Sequence, residues 1–381
     1  MAPDSRAGAV TLSWPGKEAA APLPEVRLAA VARFAGHGGA AGRLVAADNL
    51  AALAALLAEG LEGRFTLLYA DPPYGTDQSF PLRTGGRPSK LAYVDAWETG
   101  LPGYLSAIYP RLKLFHRLLS PEGTLYVHLD RRTCHYVQVL LDEVFGRKCF
   151  QNVIVWRREV SRGRKAQARH FGNNVEYLLC YTKNPRGAVW NPIVAERSLS
   201  REEAERLYRR DERGFYSTSH RGTYSDARLA ALAREGRLHV TRGGSLVEED
   251  GRVAATRGTI RIKYYLEPRG DRFVKLSNVD NLWDDIRGIA ESGPERCGYP
   301  TQKPERLLER IILASSRPGD LVGDFYAGSG TTGVVAGRLG RAWVMADNSP
   351  AAIETCRKRL LKAGHPFTVE TAQPWAPAKG D

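Results

Sequence analysis

Short apolar runs alternate with amphipathic stretches over most of the chain. LVAAD (Leu44–Asp48) reads as a strand, and Leu50, Leu53, Leu56 and Leu57 recur on one face of a following helix. TLLYAD (Thr66–Asp71) is a second buried strand, a helix is expected around Ala107–Leu119, and TLYVHLD (Thr124–Asp130) is a third strand. A helix over about Cys134–Phe145 leads to NVIVW (Asn152–Trp156) and VEYLLCYT (Val175–Thr182), a candidate antiparallel pair. From Pro185 to about Trp283 the alternation lapses into charged, glycine-punctuated sequence, in which REEAERLYRRDERG reads as a surface helix. It resumes with helix Pro304–Ser315, strand Leu321–Ala327, helix Gly333–Leu339, strand Arg341–Asp347 and helix Pro350–Leu361. This order predicts an α/β chain with a doubly wound sheet, interrupted by an inserted module. The expected division is a loosely attached leader (1–40), a first part of the sheet domain (41–184), the insert (185–285), a second part (286–370) and a tail (371–381).

Two of the strands end in unusual loops. The strand TLLYAD runs into ADPPYGT, where two prolines stop the ladder and stiffen the backbone. Pro72 and Pro73 also remove two donors, so Asp71 and the Pro72 carbonyl form a rigid, purely accepting edge beside the flat face of Tyr74. Such an edge suits an –NH2 group on a planar ring, as in a flipped-out base bearing an exocyclic amine. The second loop, GDFYAGSGTTG (Gly323–Gly333), follows a strand and opens a helix, and Gly328, Gly330 and Gly333 satisfy G-x-G-x-x-G. Glycines let backbone approach a ligand, and the helix start presents free N–H groups. Asp347 ends the next strand, nineteen residues after Gly328, where an acid would take ribose hydroxyls. These features serve NAD and an adenosyl cofactor equally. A dehydrogenase domain normally begins with this loop, however, and here about fifty residues follow it, so the sheet is expected to be circularly rearranged.

Charge and cysteine usage narrow the class. Of 381 residues, 55 are Lys or Arg and 42 are Asp or Glu, a net charge of +13 that favours a polyanionic partner. The segment WRREVSRGRKAQAR (Trp156–Arg169) concentrates that charge, making Arg157, Arg158, Arg162, Arg164, Lys165 and Arg169 candidate contacts to a polyanion such as nucleic acid. Five scattered cysteines support neither a zinc site nor a disulfide framework and fit a reducing cytoplasm. No run approaches a membrane span, so a soluble cytoplasmic protein is expected.

In order, the chain carries DPPY (Asp71–Tyr74), the insert, TQKPERLLERI (Thr301–Ile311) and DFYAGSGTTG (Asp324–Gly333). AADNLAAL, LLDEVFG, NNVEYLLCYTKN and LWDDI add local similarities. On these residues the chain resembles the DNA amino-methyltransferases of the β arrangement, in particular adenine-N6 methyltransferases of restriction-modification systems and type III modification subunits. The resemblance implies a Rossmann-like S-adenosylmethionine-dependent methyltransferase fold with a circularly permuted sheet, one antiparallel strand and a target-recognition insert. It implies that Asp71, Pro72, Pro73 and Tyr74 hold the flipped base. It also implies that Asp324, Tyr326, Gly328, Ser329, Gly330, Thr331 and Thr332 hold S-adenosylmethionine, releasing S-adenosylhomocysteine, with Asp347 and Asn348 at the ribose and Asp48 and Asn49 near the adenine. Thr301 and Lys303 are expected at the cofactor's methionine end, where a cation and a helix start attract a carboxylate. No metal is expected. Double-stranded DNA is the implied substrate, with a homodimer and a companion restriction subunit as further partners. Two residues depart from the family's usual pattern: Tyr326 stands where phenylalanine is usual, and Tyr299 where histidine is frequent.

Rival readings remain at this level. A cytosine-N4 enzyme shares both loops, although serine is usual there in the place of Asp71. Enzymes methylating RNA or protein glutamine use a related Asn-Pro-Pro-Tyr loop but place the glycine loop first. A catalytically inactive DNA-binding module would not need both loops intact, and a dehydrogenase leaves DPPY without a use.

Overall fold

The computed structural model describes residues 10–17, 22–76, 78–84, 87–97, 99–159, 169, 171–290 and 293–375. The chain divides into two compact units, one within Met1–Ile193 and Asp280–Asp381 and the other Val194–Val279.

The first unit opens with β1 (Val26–Phe34), β2 (Gly42–Ala46), α1 (Asn49–Ala58) and β3 (Phe65–Ala70). Asp48 caps α1 by accepting from the Leu50 amide, and every residue of β3 is buried, as a continuous apolar run at the centre of a sheet requires. A hairpin of β4 (Gln78–Thr84) and β5 (Arg87–Asp95) follows, then α2 (Leu101–Leu118), β6 (Leu119–Leu129), α3 (Cys134–Phe145), β7 (Phe150–Arg157) and β8 (Val175–Thr182).

The second unit contains β9 (Val194–Leu199), α4 (Arg201–Leu207), β10 (Arg209–Asp211), β11 (Gly214–His220), α5 (Asp226–Arg234), β12 (Leu238–Val240), β13 (Leu246–Glu249), β14 (Arg252–Ala255), β15 (Ile260–Tyr265), β16 (Glu267–Arg269) and β17 (Arg272–Asn278). These form sheets of four, two and three strands. The helix expected over REEAERLYRRDERG ends at Leu207, and the remainder turns into the β10–β11 hairpin with Asp211 opposite Gly214. Cross-strand pairing and the burial of Phe215 against Leu199, Ala204 and Leu266 override the local helix preference.

The chain then returns to the first unit through β18 (Leu282–Trp283), α6 (Glu305–Ser315), β19 (Leu321–Asp324), α7 (Thr331–Arg338), β20 (Ala342–Asp347), α8 (Pro350–Ala363) and β21 (Phe367–Pro374). Its sheet has ten strands in the order β1-β21-β2-β20-β19-β3-β6-β8-β7-β18. The pairs from β21 through β6 are parallel, and β8 runs antiparallel to both of its neighbours. Two helical layers cover the sheet, α1 to α3 in succession in one and α6 to α8 in the other. The sheet is therefore doubly wound and assembled from the two ends of the chain.

Several boundaries differ from the sequence expectation: the second unit, Val194–Val279, is shorter at both ends than the expected insert 185–285, because 185–193 and 280–285 belong to the first unit. The described residues of the expected leader are packed on the first unit: β1 pairs antiparallel with β21, adding a second antiparallel strand, while Trp14 is buried and donates to Ser106 Oγ at 2.8 Å. Residues 371–374 of the expected tail belong to β21. Both strands lie toward one edge of the sheet, where partial burial permits sequences too polar or alanine-rich to show clean alternation. Finally, β19 stops at Asp324 because the Asp324 carboxylate accepts from the Tyr326 amide at 3.0 Å and turns the chain.

Candidate active site

The parallel neighbours β3 and β19 pair Tyr69 with Asp324, so both strands release their loops at the same end of the sheet. Between those loops lies a cavity of about 320 Å³. It is lined by every residue expected to hold base or cofactor except Gly330: Asp71, Pro72, Pro73 and Tyr74 on one side, and Asp324, Tyr326, Gly328, Ser329, Thr331, Thr332, Asp347 and Asn348 on the other. Asp48, Asn49, Thr301 and Lys303 complete the wall. Gly330 instead packs against Cys356 of α8.

The Asp71 loop is fixed by more than its prolines. Buried Asp95, the last residue of β5, accepts from the amides of Tyr74 (3.0 Å), Gly75 (2.8 Å) and Thr76 (2.9 Å) and from the Thr76 hydroxyl (2.8 Å). Asp95→Ala is expected to cost about 1–3 kcal/mol of stability through these orphaned donors. Hydrogen exchange should show the loss at the Tyr74–Thr76 amides first; unchanged protection there would contradict this role. Asp71 itself accepts at both oxygens, from the Tyr74 hydroxyl (2.7 Å) and from Lys303 Nζ (2.7 Å). Lys303 also reaches the Tyr74 hydroxyl at 3.1 Å, closing a triangle that fixes the plane of the carboxylate. The carboxylate that Lys303 meets is thus that of Asp71, a partner the sequence reading did not give it. Burial, reinforced by Asp71 and Glu176, raises the Tyr74 pKa and keeps its hydroxyl a donor.

Opposite, Asp324 is 2% exposed and accepts from Thr332 Oγ1 at 2.5 Å as well as from the Tyr326 amide. Burial outweighs these bonds and lifts its pKa to about 7. An acid whose folded pKa is raised binds its proton in the folded state while the unfolded chain has released it, so this group lowers stability as pH rises from about 4 to about 7. Asp324→Asn is expected to flatten that part of the profile, as read from thermal midpoints across pH 4.5–7.5. Asp347 accepts from the amides of Gly328 (2.8 Å) and Ser349 (2.9 Å), which ties the glycine loop to the end of β20. Asn49 donates to the Phe325 carbonyl at 2.9 Å, and Arg111 contacts both Asn49 and Asp48. Thr301 holds a left-handed φ of 57°, a strained conformation for a β-branched residue, with its hydroxyl 3.2 Å from that of Tyr93. Acids predominate on the wall (Asp48, Asp71, Asp95, Asp324, Asp347) over Lys303 and Arg111. That balance favours a ligand with cationic character.

A wider cleft of about 1230 Å³ adjoins the cavity, sharing Tyr74, Tyr299, Thr301 and Lys303 with it. Arg131, Arg132, Arg158, Arg287 and Arg296 line this cleft, and Arg158 is the one candidate DNA contact among them. Arg158 pairs with buried Glu176 at 2.9 Å, and Arg157 pairs with Asp284 at 2.9 Å. Arg169 is exposed, and Arg162, Arg164 and Lys165 lie outside the described residues. The sequence reading missed Asp95, Arg111, His128 and Glu176. For His128 and Glu176 a signal existed: each is an ionisable residue set between hydrophobic neighbours in a strand-forming run (YVHL, VEYLL), a combination that needs a partner. Among the described residues no group of acidic, histidine or cysteine side chains could hold a metal ion.

The DNA methylase family model matches residues 65–358, which span both loops and everything between them. The type II methyltransferase M.EcaI of Enterobacter cloacae is 30% identical over 334 residues, covering 82% of this chain and 68% of that protein. The DNA adenine methyltransferase YhdJ of Escherichia coli K12 is 25% identical over 338 residues, 88% of each chain. Among solved structures, the M1.HpyAVI–SAM complex is 16% identical with a TM-score of 0.46, covering 84% of this chain and 98% of that one. On the family match and the M.EcaI identity, the chain belongs to the DNA methylase family.

Proposed function

We propose that this chain is a site-specific methyltransferase that uses S-adenosylmethionine to methylate the exocyclic N6 amine of an adenine flipped out of double-stranded DNA. The observation that carries this reading is the Asp71–Tyr74–Lys303 triangle facing the glycine loop across one cavity. The cavity fits the cofactor in size and in acidic balance. Asp347, the Gly328–Ser329 backbone, Asp48 and Asn49 would hold its nucleoside end. Bound there, S-adenosylmethionine supplies an electrophilic methyl group. Asp71 and the Pro72 carbonyl accept from the substrate amine, which localises a nitrogen lone pair otherwise delocalised into the ring. The loop that Asp95 pins holds that acceptor in place, so positioning and fixed electrostatics carry the acceleration. The amine is itself the nucleophile, and no covalent enzyme intermediate is required.

The acid at position 71 and the adenine specificity named for YhdJ favour adenine over cytosine. The arginine-lined cleft next to the cavity suits the DNA backbone, and the Val194–Val279 unit is assigned to base recognition. A homodimer and a companion restriction subunit rest on the family resemblance alone. Among the described residues no helix is long and apolar enough to cross a membrane. The direct test incubates the protein with duplex DNA and methyl-labelled S-adenosylmethionine, followed by nucleoside analysis. N6-methyladenine is the expected product. N4-methylcytosine would move the assignment to the other base, and no product despite cofactor binding would favour an inactive DNA-binding module.

A further inference from the structure

We propose that Glu176 is a positioning residue for methyl transfer, drawing on the Lys303 ammonium from the side away from Asp71 and so setting where it sits; the inference rests on the methyltransferase reading of Asp71. The topology puts Glu176 there. Because β8 runs against β6, its first residues lie at the sheet edge where the parallel strands end, opposite the close of β6. Glu176 is 5% exposed, with His128 Nε2 at 2.9 Å, Arg158 at 2.9 Å and Lys303 Nζ at 3.8 Å. His128 is fully buried and is itself held through Nδ1 by the Tyr69 hydroxyl at 2.8 Å, two residues before Asp71.

Lys303 has three protons and three polar neighbours: Asp71 Oδ2, the Tyr74 hydroxyl and, beyond hydrogen-bond length, the Glu176 carboxylate. The first two orient Asp71. The third sets where the ammonium sits, because a cation that is 8% exposed settles between the anions available to it. Burial works against the Glu176 charge, but the Lys303 ammonium, His128 and Arg158 outweigh it and bring its carboxyl down to about 2, so it is anionic at any working pH. Without that charge, Lys303 collapses onto Asp71 and Tyr74, and the acceptor edge shifts relative to the substrate amine. None of these contacts touches a reacting atom. Glu176 acts through Lys303.

The experiment is steady-state and single-turnover methylation of duplex DNA by the full chain and its variants. Glu176→Gln is expected to lower kcat about 10–100-fold, with KM for DNA and cofactor within about threefold. Glu176→Asp keeps the charge but withdraws it by one methylene, and its kcat should fall between wild type and Gln. In a Lys303→Met background, Glu176→Gln should remove less than about a further twofold, since the residue through which it acts is gone. A kcat for Glu176→Gln within about twofold of wild type overturns the proposal, as does an equal fold-loss in both backgrounds. Should the Gln variant fail to fold, the Asp variant decides: an unchanged kcat there overturns it too. A wild-type protein that methylates no DNA refutes the reading beneath the proposal, whereas an active wild type with indifferent Glu176 variants refutes the proposal alone.

Discussion

Asp71→Ala is expected to lower the rate of methyl transfer about 10³-fold or more, while DNA and cofactor affinities stay within about threefold. The magnitude follows from removing a preorganised acceptor from the reacting group, typically worth about 10²–10³ in kcat, together with the loss of the contact that orients Tyr74 and Lys303. Stability should fall by about 1–3 kcal/mol, because Lys303 loses its nearest anion in a buried position. Glu176, at 3.8 Å, keeps that ammonium from being wholly uncompensated. Single-turnover rates with saturating cofactor separate chemistry from binding, and calorimetric titration of the cofactor checks that the cavity survives. Near-normal transfer by Asp71→Ala with DNA still bound would remove Asp71 from the step and leave the accepting edge to the Pro72 carbonyl.

Gly330→Ala should disable the cofactor side of the same cavity. Gly330 caps α7 with φ +76°, and a Cβ there would lie 2.8 Å from Cys356 Sγ and 3.1 Å from Cys356 Cα. A Cα on α8 cannot swing aside as the end of a side chain can. Backbone strain adds about 1–2 kcal/mol, overpacking about 1–3 kcal/mol, and relief comes only by displacing the loop. The expected outcome is a lowered thermal midpoint and a cofactor Kd raised at least about tenfold. For the thermal midpoint alone Gly328→Ala is the control: its φ is +51°, but its Cβ would meet the Tyr299 ring at 3.4 Å, so the fold bears only the strain, whereas for cofactor affinity it is no control because Gly328 lines the cavity. If Gly328→Ala lowers the thermal midpoint of the cofactor-free protein more than Gly330→Ala does, close helix packing is not what Gly330 provides.

Both loops were legible in the sequence because each is dictated by neighbours along the chain. Prolines end β3 and glycines open α7 whatever the rest of the molecule does, and the apolar runs before them identify buried strands. The same local logic found the antiparallel partners β7 and β8. It failed at β1 and β21, whose placement depends on each other across more than three hundred residues, and at RRDERG, where pairing with β11 prevails over helix preference. It also failed at Asp95: the Arg87–Asp95 strand carries no clear alternation, and the acid's task appears only when the hairpin folds back on the Tyr74 loop.

What the sequence alone determined was the pair of loops, their order and hence the chemistry, since stiff turns and open glycine backbone are properties of contiguous residues. Tertiary structure decided which charges meet. Lys303 lies 232 residues from Asp71 and Glu176 lies 105 residues from it, yet their carboxylates share one ammonium. The energy of a buried charge depends on the distances to its neighbours and on exclusion of water, and neither quantity exists until the sheet has closed.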